Sequence, residues 1–136
     1  MHYSSHTLEH FTREEGQFII FEAFRVLKPG GTIRIVVPDL RRFVDRYLNQ
    51  EIPADHFVED LGVLYQKNKN SLKTKLGPFI QFPHQCMYDA ETLLSLLKRA
   101  GFKASIRKPF DSAIKEITDI ELPVRAIGAV IVEGLK

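Results

Sequence analysis

The sequence predicts an α/β domain in which a small sheet is flanked by helices. Three features indicate it: an amphipathic segment that ends at a Lys-Pro-Gly-Gly turn, a β-branched run at 32–37 directly after the turn, and an apolar run at 126–133. Apolar residues at helical spacing are typical of a helix on a core, and a continuous β-branched run is typical of a buried strand. At this length we expect residues 1–136 to form a single domain.

The composition excludes several classes of protein. With 44% hydrophobic and 26% charged residues, the chain has the composition of a soluble globular protein. The 19 basic and 17 acidic residues are mixed along the chain, so we expect no nucleic-acid partner. No apolar run approaches the roughly 20 residues of a membrane span, so we expect no membrane contact. The single cysteine, Cys86, fits a reducing compartment, and we predict a cytoplasmic protein.

The segment before the turn predicts a short helical turn near Leu8 and then a main helix. Thr12 and Glu15 have the spacing of a capping box and stand ahead of a run with helical periodicity. We therefore expect the main helix to extend from about Arg13 to Val26. Pro29 would end it.

A strand and a second helix follow the turn. Thr32 to Val37 is β-branched, with Arg34 as its only charged residue, and predicts a buried strand. Asp39 is placed to cap the next helix. The apolar residues of that helix form a stripe that we expect to pack on the core: Leu40, Phe43, Val44, Tyr47 and Leu48.

The regular pattern weakens at 49–83 and returns at Asp89. Phe57 to Tyr65 predicts a short helix and Asn68 to Pro78 a polar loop. Long irregular stretches in compact domains are usually lids, binding loops or interfaces, so we interpret 49–83 as an insertion or lid-like region. Asp89 and Gly101 have the residue types expected at the two ends of the following helix.

Four motifs lie along nearly the whole chain. They are Tyr3-Ser4-Ser5-His6-Thr7-Leu8-Glu9-His10, Leu27-Lys28-Pro29-Gly30-Gly31, Tyr88-Asp89-Ala90-Glu91 with Leu97 to Gly101-Phe102, and Val130-Ile131-Val132-Glu133. In combination they resemble the C-terminal half of class I S-adenosylmethionine-dependent methyltransferases, specifically a predicted type 11-like family. The resemblance implies methyl transfer from S-adenosylmethionine to an acceptor that the sequence does not identify.

The resemblance also implies a partial Rossmann-like fold with a small mixed sheet. Met1–Ser4, Thr32–Val37, Lys103–Lys108 and Ala126–Glu133 would correspond to the fourth to seventh strands of the family, and the seventh runs antiparallel. The glycine-rich turn and the acidic residue that hold the cofactor in relatives are not found in this sequence. We therefore expect a truncated domain that is inactive in isolation and whose cofactor binding is in doubt.

The same resemblance implies that one edge of the first strand of this chain is uncovered. An open strand edge exposes unpaired backbone groups, which are a template for pairing with another strand. We therefore expect a homodimer that forms across this edge.

Candidate site residues cluster where the first strand ends, because ligands bind at the carboxyl ends of parallel strands. The resemblance implies that Ser5, His6 and Leu8 contact the cofactor and that His84 and Tyr88 lie on the substrate side. His6 is also the candidate catalytic base, since an imidazole with a pKa of about 6.5 can accept a proton near neutral pH.

Structural roles remain open for these residues. His6, Glu9 and His10 would then organise the strand-to-helix turn through hydrogen bonds, and His84 and Tyr88 would support the fold.

Two other functions remain open. His6-Thr7-Leu8-Glu9-His10 matches the HxxEH pattern of inverted zinc peptidases, and Glu91 would be the third ligand. Because the motif is short and precedes a methyltransferase-like turn and strand, we assign no metal ligand. The second alternative is a non-catalytic interaction domain with the methyltransferase shape.

Overall fold

The computed structural model describes residues 1–64 and 83–136. The described residues form four strands, six α-helices and one 3₁₀ turn. In chain order these are β1 (His2–Ser5), the 3₁₀ turn (Leu8–His10), α1 (Arg13–Val26), β2 (Thr32–Pro38), α2 (Leu40–Leu48), α3 (Ala54–Asp60), α4 (Ala90–Ala100), β3 (Lys103–Ile106), α5 (Ile117–Ile120), α6 (Pro123–Ala126) and β4 (Ala129–Leu135). The predicted α/β class is confirmed. The predicted polar loop and the middle of the predicted insertion lie outside the described residues.

The four strands form one mixed sheet in the order β1-β2-β4-β3. β1 runs parallel to β2, and β4 runs antiparallel to both β2 and β3. The last strand is therefore antiparallel, as expected. It begins at Ala129 and not at Ala126, because the preceding residues form α6.

Local capping signals correctly predicted the two longest helices. The Glu15 amide donates to Thr12 Oγ1 at 3.3 Å and the Thr12 amide donates to Glu15 Oε2 at 2.9 Å, which completes the capping box of α1. The Thr92 amide donates to Asp89 Oδ1 at 2.8 Å at the start of α4, and Gly101 adopts a φ of 110° at its end.

The predicted packing of α2 is wrong. The Arg41 amide donates to Asp39 Oδ1 at 3.0 Å, as expected of a cap, but no residue of α2 is buried. In this stripe the ring of Tyr47 lies 5.1 Å from the ring of Phe57 in α3, and none of its residues belongs to either core cluster. An amphipathic pattern specifies that a helix has an apolar face, but not which element covers that face.

The sheet buries a different core on each face. Ile33, Ile35 and Val37 of β2 alternate onto the face covered by α1 and α4. On the other face Val36 packs with a smaller cluster that includes Ala126 of α6. Within the described residues, no helix has the length and apolarity needed to cross a bilayer.

Arg34 is fully buried on the second face, and two glutamates bind its guanidinium. Its Nε and Nη2 atoms each donate to a different oxygen of Glu121 at 2.9 Å, and Nη1 donates to Glu133 Oε2 at 3.3 Å. Two backbone carbonyls accept the remaining bonds, those of Lys108 and Asp111, at 3.1 and 2.9 Å. A buried charge is tolerated when it is paired and hydrogen-bonded in this way.

The two glutamates of this network also accept hydrogen bonds from groups other than Arg34. The Phe110 amide donates to Glu121 at 2.7 Å, and the Ala113 amide donates to Glu133 at 3.0 Å. Ser112 donates its hydroxyl proton to Glu133 as well. The network therefore ties β2 and β4 to the segment between β3 and α6.

We predict that Arg34→Met destabilises the fold by about 3–5 kcal/mol, because it leaves Glu121 buried without a cation and leaves Glu133 with only Arg107, at 3.8 Å. Arg25→Met is the matched control: Arg25 also binds a glutamate, Glu22, through two nitrogens, but this pair is exposed on α1. We expect no measurable change in the control. Urea denaturation followed by circular dichroism measures both, and an equally small change in the two variants contradicts the prediction.

Candidate functional site

The chain reverses direction at His6, directly after β1. The His6 amide donates to the Val36 carbonyl at 2.9 Å and so continues the β1–β2 ladder. Its φ is 50°, in the left-handed region that residues other than glycine rarely adopt. The Thr7 hydroxyl donates to the Ser5 carbonyl at 3.1 Å and supports the bend. This backbone geometry places His6 directly at the carboxyl end of β1.

Both ring nitrogens of His6 face protein groups. Nε2 lies 2.9 Å from the Arg125 carbonyl oxygen, which can only accept, so Nε2 carries a proton. Nδ1 lies 3.5 Å from Glu9 Oε1. The Glu9 carboxylate raises the pKa of His6, burial opposes the shift, and the Arg125 carbonyl adds to it. His6 therefore has the anchoring contacts that the structural alternative requires.

Glu9 is a buried carboxylate at the centre of the site. Its side chain is 1% exposed, and neither of its oxygens has a hydrogen-bond partner within 1–64 and 83–136. Its backbone carbonyl accepts from the amides of Gln85 and Cys86 at 2.7 and 3.1 Å, so the segment before α4 is held against the 3₁₀ turn. A buried charge without hydrogen bonds is costly, so the groups around Glu9 determine how far its charge is stabilised.

Two further histidines point toward Glu9. Nε2 of His10 and Nε2 of His84 each lie 4.0 Å from Glu9 Oε1, and the two ring centroids are 5.1 Å apart. His84 Nδ1 lies 2.7 Å from the Leu61 carbonyl oxygen and His10 Nδ1 lies 3.5 Å from that of Pro83. We call His6, Glu9, His10 and His84 the histidine-glutamate cluster.

Gly62 makes room for one of these rings. It adopts a φ of 71°, and a Cβ atom at this position would lie 2.9 Å from the His84 ring. Its carbonyl also accepts from the His84 amide at 2.9 Å. A glycine is therefore required both by the backbone conformation and by the close approach of His84.

The other predicted site residues have different surroundings. Ser5 Oγ is buried and has no hydrogen-bond partner in the part of the chain that the structure describes. Leu8 is 2% exposed and belongs to the main core. Tyr88 is also buried, and burial is the main cause that raises the pKa of its hydroxyl. Tyr88 lines a groove of about 500 Å³ between α1 and α4.

The geometry expected of an HxxEH zinc peptidase is not present. His6 has left-handed geometry and His10 ends a 3₁₀ turn, so the motif is not one face of an α-helix. The expected third ligand, Glu91, lines the groove and is not part of the cluster. That expectation is wrong because spacing along the chain does not show which distant residue meets the motif.

Sequence reasoning missed the central role of Glu9 and its contact with His84. From the sequence, Glu9 is expected to organise the turn, and His84 is expected separately on the substrate side. The two are 75 positions apart, and no fixed spacing links them. The only local signal for this contact is the position of His84 shortly before Asp89, the cap of α4.

Comparison of the sequence with protein-family models and with curated proteins finds no match for this chain. The family resemblance of the four motifs therefore remains an inference from the residues.

We predict that, when the His84 ring is neutral, its proton resides on Nδ1, because the Leu61 carbonyl can only accept. Long-range ¹H–¹⁵N spectra of the histidine rings assign the protonated nitrogen, with exposed His56 as the reference. Gly62→Ala should displace the ring and remove this preference. A neutral His84 with its proton on Nε2 in the unmodified protein contradicts the prediction.

Proposed function

We propose that this fold serves the transfer of a methyl group from S-adenosylmethionine to an unidentified acceptor, with Ser5 and His6 at the reactive end of the site. The observation that supports it most is their position at the carboxyl end of two parallel strands, β1 and β2. Ligands bind at this edge of α/β sheets. The antiparallel course of β4 agrees with what the sequence resemblance implies.

Ser5 is the described residue that best fits a cofactor contact. Its hydroxyl is buried and lacks a partner among the described residues, so a polar group brought close to it would satisfy a donor and an acceptor. His6 follows it directly, and its ring direction is fixed by the Arg125 carbonyl. We assign none of the described residues to the ribose or the adenine.

When bound, S-adenosylmethionine supplies an electrophilic methyl carbon attached to a positively charged sulfur. An acceptor whose nucleophilic atom carries a proton would have to release it on methylation. His6 would accept this proton at Nδ1, because Nε2 already donates to Arg125, and the ring would have to turn Nδ1 from Glu9 toward the acceptor to do so. Glu9, 3.5 Å away, would stabilise the resulting imidazolium. His84 and Tyr88 remain the proposed substrate-side residues.

The proposal predicts weak, saturable binding of S-adenosylmethionine that depends on Ser5. Loss of one hydrogen bond in Ser5→Ala should weaken binding by roughly threefold to tenfold. Ser4→Ala is the matched control, since Ser4 is the preceding residue of β1 and its hydroxyl is not one of the unpartnered buried groups. Isothermal titration calorimetry measures all three proteins.

The outcomes of this titration separate two functions. Saturable heat that decreases in Ser5→Ala and not in Ser4→Ala supports the methyltransferase proposal. Absence of heat and of any thermal shift with the unmodified chain contradicts it and favours a non-catalytic interaction domain.

The surface beside β1 supports the homodimer expected from the sequence, whichever of the two functions the chain has. Among the described strands β1 pairs only with β2, so its other edge is open. The adjoining helix α6 contains Val124, which is 86% exposed, and is flanked by the exposed side chains of Leu122 and Ile127. We propose that a second copy of this chain covers this edge, because identical strand edges can pair about a twofold axis.

We therefore predict a homodimer at micromolar concentration. Sedimentation velocity over a range of concentrations measures its mass, and the dimer fraction should increase with concentration. A species with the mass of one chain at every concentration contradicts the dimer.

A further inference from the structure

We propose that Glu9, His10 and His84 form a binding site for a divalent transition-metal ion, with zinc as the ion to be tested. This inference goes beyond methyl transfer and does not depend on it. One imidazole nitrogen from each histidine and one carboxylate oxygen lie within 4.8 Å of one another. Within the described residues this is the group that brings three such ligand atoms together.

The distances suit a site that closes slightly around an ion. Glu9 Oε1 lies 4.0 Å from the Nε2 atoms of His10 and His84. Zinc bonds of about 2.0–2.1 Å in tetrahedral geometry place ligand atoms roughly 3.4 Å apart. Small rotations of these side chains would therefore bring the three atoms to bonding distance.

The second ring nitrogen of each histidine has the contact that metal ligands usually have. His84 Nδ1 faces the Leu61 carbonyl at 2.7 Å, and His10 Nδ1 faces the Pro83 carbonyl at 3.5 Å. These carbonyls accept the Nδ1 protons, which leaves a lone pair on each Nε2. Metal-binding histidines almost always donate their other ring proton to a carbonyl, a carboxylate or water.

Glu9 supplies an independent argument. Its carboxylate is 1% exposed, and both oxygens lack a hydrogen-bond partner among the described residues. A buried carboxylate in this state is costly, and a cation bound to it offsets that cost directly. Glu9 Oε1 is also the oxygen that His6 Nδ1 faces, at 3.5 Å, so an ion bound there would compete with His6 for it.

The ligand types select the class of ion. Two imidazoles and one carboxylate suit zinc and neighbouring transition metals, whereas magnesium and calcium prefer sites made only of oxygen. Three protein ligands leave a fourth position for water or for another molecule, as in catalytic zinc sites. The structural alternative is that the histidines only stabilise Glu9 by sharing protons with it.

Zinc binding to the purified full chain tests the proposal. The metal-free protein is equilibrated with zinc and desalted. Its metal content is then measured by atomic spectroscopy, and its affinity by competition with a chromophoric chelator. We expect one zinc ion per chain. His84→Ala should weaken binding by at least about 100-fold, since loss of a second-shell partner alone costs 10–100-fold.

Two further variants make the result specific. His56→Ala removes an exposed histidine of α3 and should bind zinc as the unmodified chain does. Glu9→Gln removes the buried charge while keeping the shape, so the metal-free protein should melt no lower than the unmodified chain, and the thermal stabilisation by zinc should be lost. If Glu9 had only a structural role, its replacement by Gln would lower the melting temperature of the metal-free protein.

Several results overturn the proposal. They are substoichiometric zinc in the unmodified chain, equal losses in His56→Ala and His84→Ala, and unchanged affinity in Glu9→Gln. None of these measurements uses S-adenosylmethionine, so failure of the metal site and failure of the methyltransferase proposal are distinguishable.

Discussion

The structure depends on the burial of one positive charge, that of Arg34, in the middle of its sheet. Glu121 and Glu133 bind different nitrogens of this guanidinium, and each glutamate also accepts a backbone amide of the segment after β3. This segment leads into α5 and α6, and the carbonyl of Arg125 in α6 accepts the ring proton of His6. The ion pairs of Arg34 thus help to position α5 and α6, and the Arg125 carbonyl of α6 in turn orients the His6 ring.

The candidate site has its own electrostatic constraint, a buried carboxylate surrounded by histidines. Each histidine around Glu9 has one ring nitrogen next to a backbone carbonyl, and these carbonyls come from three separate parts of the chain, at Leu61, Pro83 and Arg125. The other nitrogen of each ring points to the same carboxylate oxygen. Because the three rings converge on one oxygen, the two proposed uses of this charge, stabilising a protonated His6 and binding a cation, compete for the same atom.

Predictions from the sequence succeeded where the signal is local. A cap and the helix that it begins are separated by three residues, so the ends of α1 and the caps at Asp39 and Asp89 could be read directly. Predictions that needed a distant partner were weaker. The apolar stripe of α2 is real, but its Tyr47 ring packs on α3 and none of its residues joins the core. Glu91 was an acid at plausible spacing, whereas His84 is the residue that meets Glu9.

By itself, the sequence determined the α/β class, the principal helices, the approximate strands and the placement of Ser5 and His6 after a strand, because apolar periodicity and capping act over a few residues. Only the tertiary structure decided the partners of the buried charges. Arg34 was one charged residue in an apolar strand, and its partner Glu121 lies 87 positions away. The free energy of a buried charge depends on which groups the whole fold brings within a few ångströms of it, and that is a property of three-dimensional packing.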